Sequence, residues 1–494
     1  MLYIRPRMGT MASIWDGGNL PRSDKKLWLK KILLIVGLIV MALILFYAEE
    51  NYRHMRAWRS YAESTGLQQK PLNWKDYLPP PVPENQNFAK TPLLKAIGLK
   101  QETDAQVLSR FTVFSAGNYL ADSFNGTPTD LAGLARALCK DQKPGTDLGK
   151  PPAEIVLEAM ATIEPDLSEL RRASRLPAAQ FDARGQDPWH LTIPNFVALR
   201  SLAQILSVHA GASLQQGQSA KALEDLAVIL RIGDALKSHN TLVASMIRVA
   251  LVGTALGPLR EGCESGAWSG TELRELQSLL QKQDLLYSLS RSIQGGERAG
   301  VHYIAEHYGP EECSKLFAGS DPPSRFSRLA FQLAPRAWRY RALMLYDEPM
   351  REFLEAVDPA AQRIDPLRVQ AAFNKVEGTV NQWPCGMLAA VAIPNFQKAL
   401  LTTARTQTLV NMATVVCALE RYKAGHAAYP PALDGIAPDL DQGTLPHDLV
   451  TGKSLHYAAT GSGKFTLYTS GYDGKDDAGH IESDPARGDW CWVN

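Results

Sequence analysis

The sequence predicts a mainly α-helical protein with one N-terminal transmembrane helix and a small α+β domain at its C-terminus. Three observations predict this. An uncharged run from Ile32 to Ala48 is long enough to cross a bilayer, and apolar residues recur at helical spacing from about Pro92 to Glu377. The C-terminal stretch then joins one apolar-periodic helix to two β-rich segments around a glycine-containing turn. A chain of 494 residues, 45% hydrophobic and 21% charged, is ordinary globular material with length for two or three domains and sizeable cores. Its formal net charge of +1 gives no bulk basicity, so nucleic acid is not an expected partner.

Taken in order, residues 1–31 are expected to form a cytoplasmic tail and residues 32–48 the transmembrane helix. The run ILLIVGLIVMALILFYA is near the lower limit for a hydrocarbon core of roughly 30 Å. Trp28 and Tyr47 flank it as interfacial anchors would. A cleaved signal peptide is the competing reading, but Ala48 is followed by Glu49 and Glu50 with no A-x-A-like site, which favours an uncleaved signal anchor. Arg22, Lys25, Lys26, Lys30 and Lys31 precede the run, against Arg53, Arg56 and Arg59 beyond it. That bias keeps the N-terminus in the cytoplasm and places the bulk of the chain outside the inner membrane.

Residues 49–91 are polar and then proline-rich, with Pro79, Pro80, Pro81 and Pro83 holding the backbone extended, so a stalk or linker is expected. Residues 92–380 form the helical domain. Leu199, Leu202 and Leu206, then Leu223, Leu226 and Leu230, keep the i, i+3, i+7 spacing of a buried face. Ser269 and Glu272 make a capping box before a helix around Leu273 to Leu280. One hairpin, with Gly217 at its turn followed by Ala222, Leu226 and Ile229, resembles a tetratricopeptide unit. No 34-residue period continues from it, so an irregular bundle is favoured over a repeat array. The stretch from Leu170 through Arg260 also resembles uncharacterised membrane-anchored bacterial proteins, which implies an architecture and no activity.

The sequence carries few groupings of chemically reactive residues. Cys139, Cys263, Cys313, Cys385, Cys417 and Cys491 lack any CxxC pair or zinc-ligand spacing, and export would permit disulfides whose pairing the spacing leaves open. Thr460-Gly461-Ser462-Gly463-Lys464 suggests a phosphate loop, yet Ala458 stands where its first glycine belongs and Phe465 follows the lysine. A turn joining Leu455–Ala459 to Lys464–Ser470 explains the same glycines. His209 and His239 sit singly on helical segments, where a structural histidine is the commoner case. Glu297 and Arg298, after two glycines, could form an active-site pair or an ordinary ion pair.

Residues Gly386 to Ala399, GMLAAVAIPNFQKA, resemble the later part of the N-terminal helix of type IV pilins and type II secretion pseudopilins. With ALERYKAGHAAYPPALDGIAP at Ala418–Pro438, HDLVTGKSLHY at His447–Tyr457 and FTLYTSGYDGKDDAG at Phe465–Gly479, residues 386–494 resemble the major pseudopilin of type II secretion. The resemblance implies a long helix packed on a small antiparallel sheet and a calcium ion held by the loop after the sheet. The chain lacks the pilin cleavage site: Gln382-Trp383-Pro384-Cys385 precedes the fragment, whose apolar run is too short to span a membrane. Asp473, Asp476, Asp477, Asp484 and Asp489 offer the hard oxygen ligands calcium takes, the alternative being a solvated acidic turn. The expected function is a membrane-anchored, non-enzymatic interaction or scaffold protein of the bacterial envelope, with a pseudopilin-like head that meets other envelope proteins. The alternatives are an envelope enzyme with its active site in the helical domain, and a component of a type II secretion or pilus-like system.

Overall fold

The computed structural model describes residues 22–98, 111, 114, 116–122, 124–139, 148–183, 185, 187–188, 190–318, 322–379, 382, 385–440, 443–460 and 463–493. Helix α1 runs without a break from Arg22 to Ser64. From Leu27 to Phe46 its large apolar side chains other than Ile32 are exposed, and α1 is long and apolar enough to span a membrane. Its polar second half does not end in a stalk. It lies along a later helix, and the segment after it is pinned to the body: Trp74 and Phe88 are buried, and the Asn87 side chain donates to the Gln180 carbonyl at 2.8 Å while accepting the Gln180 N–H at 2.9 Å. The prolines fix an extended backbone as expected, but the aromatic residues between them bury apolar surface and draw that backbone onto the protein.

Short helices α2 (Pro92–Gly98), α3 (Leu131–Leu138), α4 (Pro152–Met160) and α5 (Glu164–Ala173) lead into the helical body. There α6 (Phe196–Gln215) and α7 (Ser219–Ala235) make an antiparallel hairpin, turned at Gly217 with φ +71°, a conformation glycine adopts without Cβ strain. Helices α8 (Leu242–Glu264) and α9 (Gly270–Gln281) close against it. The expected capping box is present at the start of α9, with the Ser269 hydroxyl accepting the Glu272 N–H and the Glu272 carboxylate accepting the Ser269 N–H. Helix α10 (Leu285–Ser292) passes through a π-helical turn, Ile293–Ala299, into α11 (Gly300–His307). Then come α12 (Pro310–Ala318), α13 (Arg325–Leu333), α14 (Trp338–Glu355), a two-stranded ribbon of β1 (Val357–Asp358) and β2 (Arg363–Ile364), and α15 (Pro366–Thr379).

Helix α16, Met387–His426, is 40 residues long and is the spine of the molecule. Its second half, Leu409 to Leu419, is buried in one core with α6 to α9 and with Leu455, Phe465, Leu467 and Trp492. Its first half, from Phe396 to Ala404, is buried in the other core with α10, α14, α15, Leu449 and Trp490. The boundary expected near residue 386 is therefore not a break in packing, because the C-terminal helix fills both cores. Beyond it, β3 (His456–Thr460), β4 (Lys464–Thr469) and β5 (Trp490–Trp492) form an antiparallel sheet in the order β3-β4-β5, with Thr460 opposite Lys464 at the glycine-containing turn.

Candidate functional site

A cleft of about 490 Å³ lies between the helical body and the C-terminal segment. Its walls come from the α9–α10 junction, the turn between β1 and β2, the middle of α16 and the loop before His447. Side-chain amides are the commonest polar groups in the lining, from Gln281, Gln283, Gln362, Gln407 and Asn411. Gln407 on α16 accepts the Leu285 N–H at 2.7 Å, capping α10, and donates to Asn411 at 2.9 Å. Gln283 accepts from the buried Arg248 guanidinium at 2.8 Å. Asp284 caps α10 by accepting the Tyr287 N–H at 2.8 Å and also accepts from Gln362 at 3.2 Å. Gln362 holds a left-handed backbone, φ +48°, which costs a non-glycine residue about 1–2 kcal/mol, and its side-chain carbonyl is enclosed without a hydrogen-bond partner. An enclosed, unpaired acceptor on a strained turn is a poor arrangement for stability alone. Asp284 and His447 are the cleft's ionisable lining groups, and Asp284 already serves as a helix cap. What such a surface can do is pair with a ligand's own N–H and C=O groups.

A second constellation lies at the root of α1. Asp347, fully buried on α14, accepts two bonds from Arg298, Nε at 2.6 Å and Nη2 at 2.9 Å, and one from the Tyr61 hydroxyl at 2.7 Å. His302 Nε2 lies 2.6 Å from the same carboxylate. Burial opposes ionisation of Asp347, but the bonds from His302 and Arg298 outweigh it and hold the carboxyl well below its usual range. Two residues of the site, Glu297 and Arg298, were expected as a pair, and the π turn sends them apart. Glu297 accepts the Leu242 N–H at 2.9 Å at the start of α8, and burial pushes its pKa up. Gly295 and Gly296 let this turn pass close to the ring of Tyr77 and the carbonyl of Asn240, where a Cβ would collide.

His209 belongs to a third group, not to a lone site. Its Nδ1 lies 2.6 Å from Asp225, which accepts the Arg171 Nε–H at 2.7 Å, and Arg171 also donates to Glu164 at 2.7 Å. Burial disfavours the charged imidazole, yet the bonds to Asp225 and Glu164 outweigh it and raise its pKa above 6.5. His239 sits with Nε2 2.8 Å from the Thr192 carbonyl, and burial lowers its pKa.

The five acidic residues expected to bind calcium lie around the β4–β5 connection, but each is engaged locally. Asp489 is buried and accepts the N–H groups of Asp477 at 3.1 Å and Gly479 at 2.6 Å. Asp473 accepts the Lys475 N–H, Asp476 the Ala478 N–H and Asp484 the Ala486 N–H, each closing a turn of its own. Asp477 contributes its N–H to Asp489. Among the described residues no three His, Cys, Asp or Glu side chains are grouped as metal ligands. No family model, curated protein or solved structure matches the chain.

Proposed function

We propose that this chain is a single-pass, membrane-anchored interaction protein of the bacterial envelope, with its bulk on the extracytoplasmic side and its cleft serving to bind an extended polar segment of a partner protein. The amide-lined cleft carries this reading. A peptide backbone presents alternating donors and acceptors, and glutamine and asparagine side chains can answer both.

A second reading makes the protein a component of a type II secretion or pilus-like system. It is supported by the long α16 packed on a small antiparallel sheet, the arrangement a pseudopilin resemblance implies. One experiment bears on both. A photo-crosslinking amino acid is placed at Asn411 in the cleft or, as a control, at the outward-facing Val197, and cells are irradiated. Discrete adducts from Asn411 alone support the binding cleft, and adducts with secretion-machine subunits select the second reading. Identical patterns from both positions, or none from Asn411, reject the cleft.

A further inference from the structure

Helix α13 carries Phe326, Leu329 and Leu333 on one face, at i, i+3 and i+7, and they are 80%, 51% and 58% exposed. Three large apolar side chains presented together to water are costly unless something covers them. Their position says what does. The Tyr47 hydroxyl, at the end of the apolar run of α1, donates to the carbonyl of Leu333. Asn51 accepts the Ala337 N–H at 2.9 Å, and Glu50 accepts the Trp338 indole N–H at 2.6 Å. These bonds stitch the end of α13 to α1 at the residues where its uncharged stretch gives way to polar ones. The Leu333 end of this apolar face is thus held at the end of the apolar run of α1.

Charge points the same way. Between Ser324 and Tyr346 the chain has arginine at 325, 328, 336, 339 and 341 and no aspartate or glutamate. Arg325, Arg328, Arg336 and Arg339 are exposed. An apolar stripe flanked by arginines at the height where hydrocarbon meets headgroups is the chemistry of an interfacial helix on an anionic bilayer.

We infer that α13 lies in the membrane interface, its Phe326–Leu329–Leu333 face in the acyl boundary and its arginines among the phosphates, as a second lipid contact beside α1. This inference rests on reading α1 as a membrane-spanning helix. The test reconstitutes the full chain in phosphatidylcholine/phosphatidylglycerol vesicles containing a phosphatidylcholine with a diazirine near the top of one acyl chain, and maps lipid adducts by mass spectrometry after irradiation. Adducts are expected both within Ile32–Ala48 and on α13. In the variant Phe326→Asp/Leu329→Asp the α13 adducts should be lost while those on α1 persist. Adducts on α1 with none on α13 overturn the interfacial helix and leave the anchor standing. Adducts on neither sink the anchor itself.

Discussion

Replacing Asp347 with asparagine removes the charge that Arg298 and His302 face in a fully buried position, so Asp347→Asn should destabilise the protein by about 3–5 kcal/mol. The urea midpoint of the reconstituted protein measures this, and a shift under about 1 kcal/mol would mean that the buried bonds are not made. His209 gives a pH signature. Its folded pKa is raised, so its contribution is complete below about 6.5, the unfolded value, and is lost as pH rises through the folded one. The gap in Tm between the unmodified protein and His209→Gln should therefore narrow from pH 6 to pH 9, and a gap that widens contradicts a charged histidine. Neither group was legible in the sequence. Asp347 meets residues 45, 49 and 286 positions away, and no spacing rule links residues so distant. Glu297 and Arg298 caught the eye as neighbours, and adjacency in sequence put them on opposite sides of a helical turn. Likewise the cysteine spacing left every pairing open, whereas folding sets Cys263 beside Cys417, where a hydrogen bond between the two thiols and burial push the Cys263 pKa well up.

Helix α16 ends on Ala427 in a left-handed conformation, φ +59°, with its N–H bonded to the Lys423 carbonyl at 2.8 Å. Glycine suits that position, so Ala427→Gly should stabilise by about 0.5–1 kcal/mol, read as a raised Tm. The loop between β4 and β5 makes the opposite kind of prediction. Asp473, Asp476, Asp484 and Asp489 each accept a backbone N–H nearby, so the loop's own backbone satisfies these carboxylates. Melting temperatures in calcium and in chelator should agree, and a calcium-dependent rise abolished by Asp473→Ala would restore the calcium site. At this scale the sequence was most informative where a rule is local. The capping box at Ser269, the Gly217 hairpin and the turn before Lys464 each depend on residues within a few positions of one another. The stalk was misjudged because proline constrains a backbone without saying whether the aromatic residues beside it find a core.

For the whole molecule, the two cores share α16, so stability cannot be divided at residue 386. Truncation after Gln382 should leave α6 to α9 without the face they bury against, and limited proteolysis should then cut within Phe196–Gln281, where the full chain resists. A truncated protein as resistant as the full chain would restore two independent domains. The hydrophobic periodicity told which faces are buried and not which helix buries them, and the expected boundary failed for that reason. The shared spine also sets a timetable. At about 5–20 residues per second, roughly 20–90 s separate the synthesis of α1 from that of β5, and α16 arrives only near the end. Over that interval both interiors lack the helix they share. Closure of either core waits on the synthesis of α16.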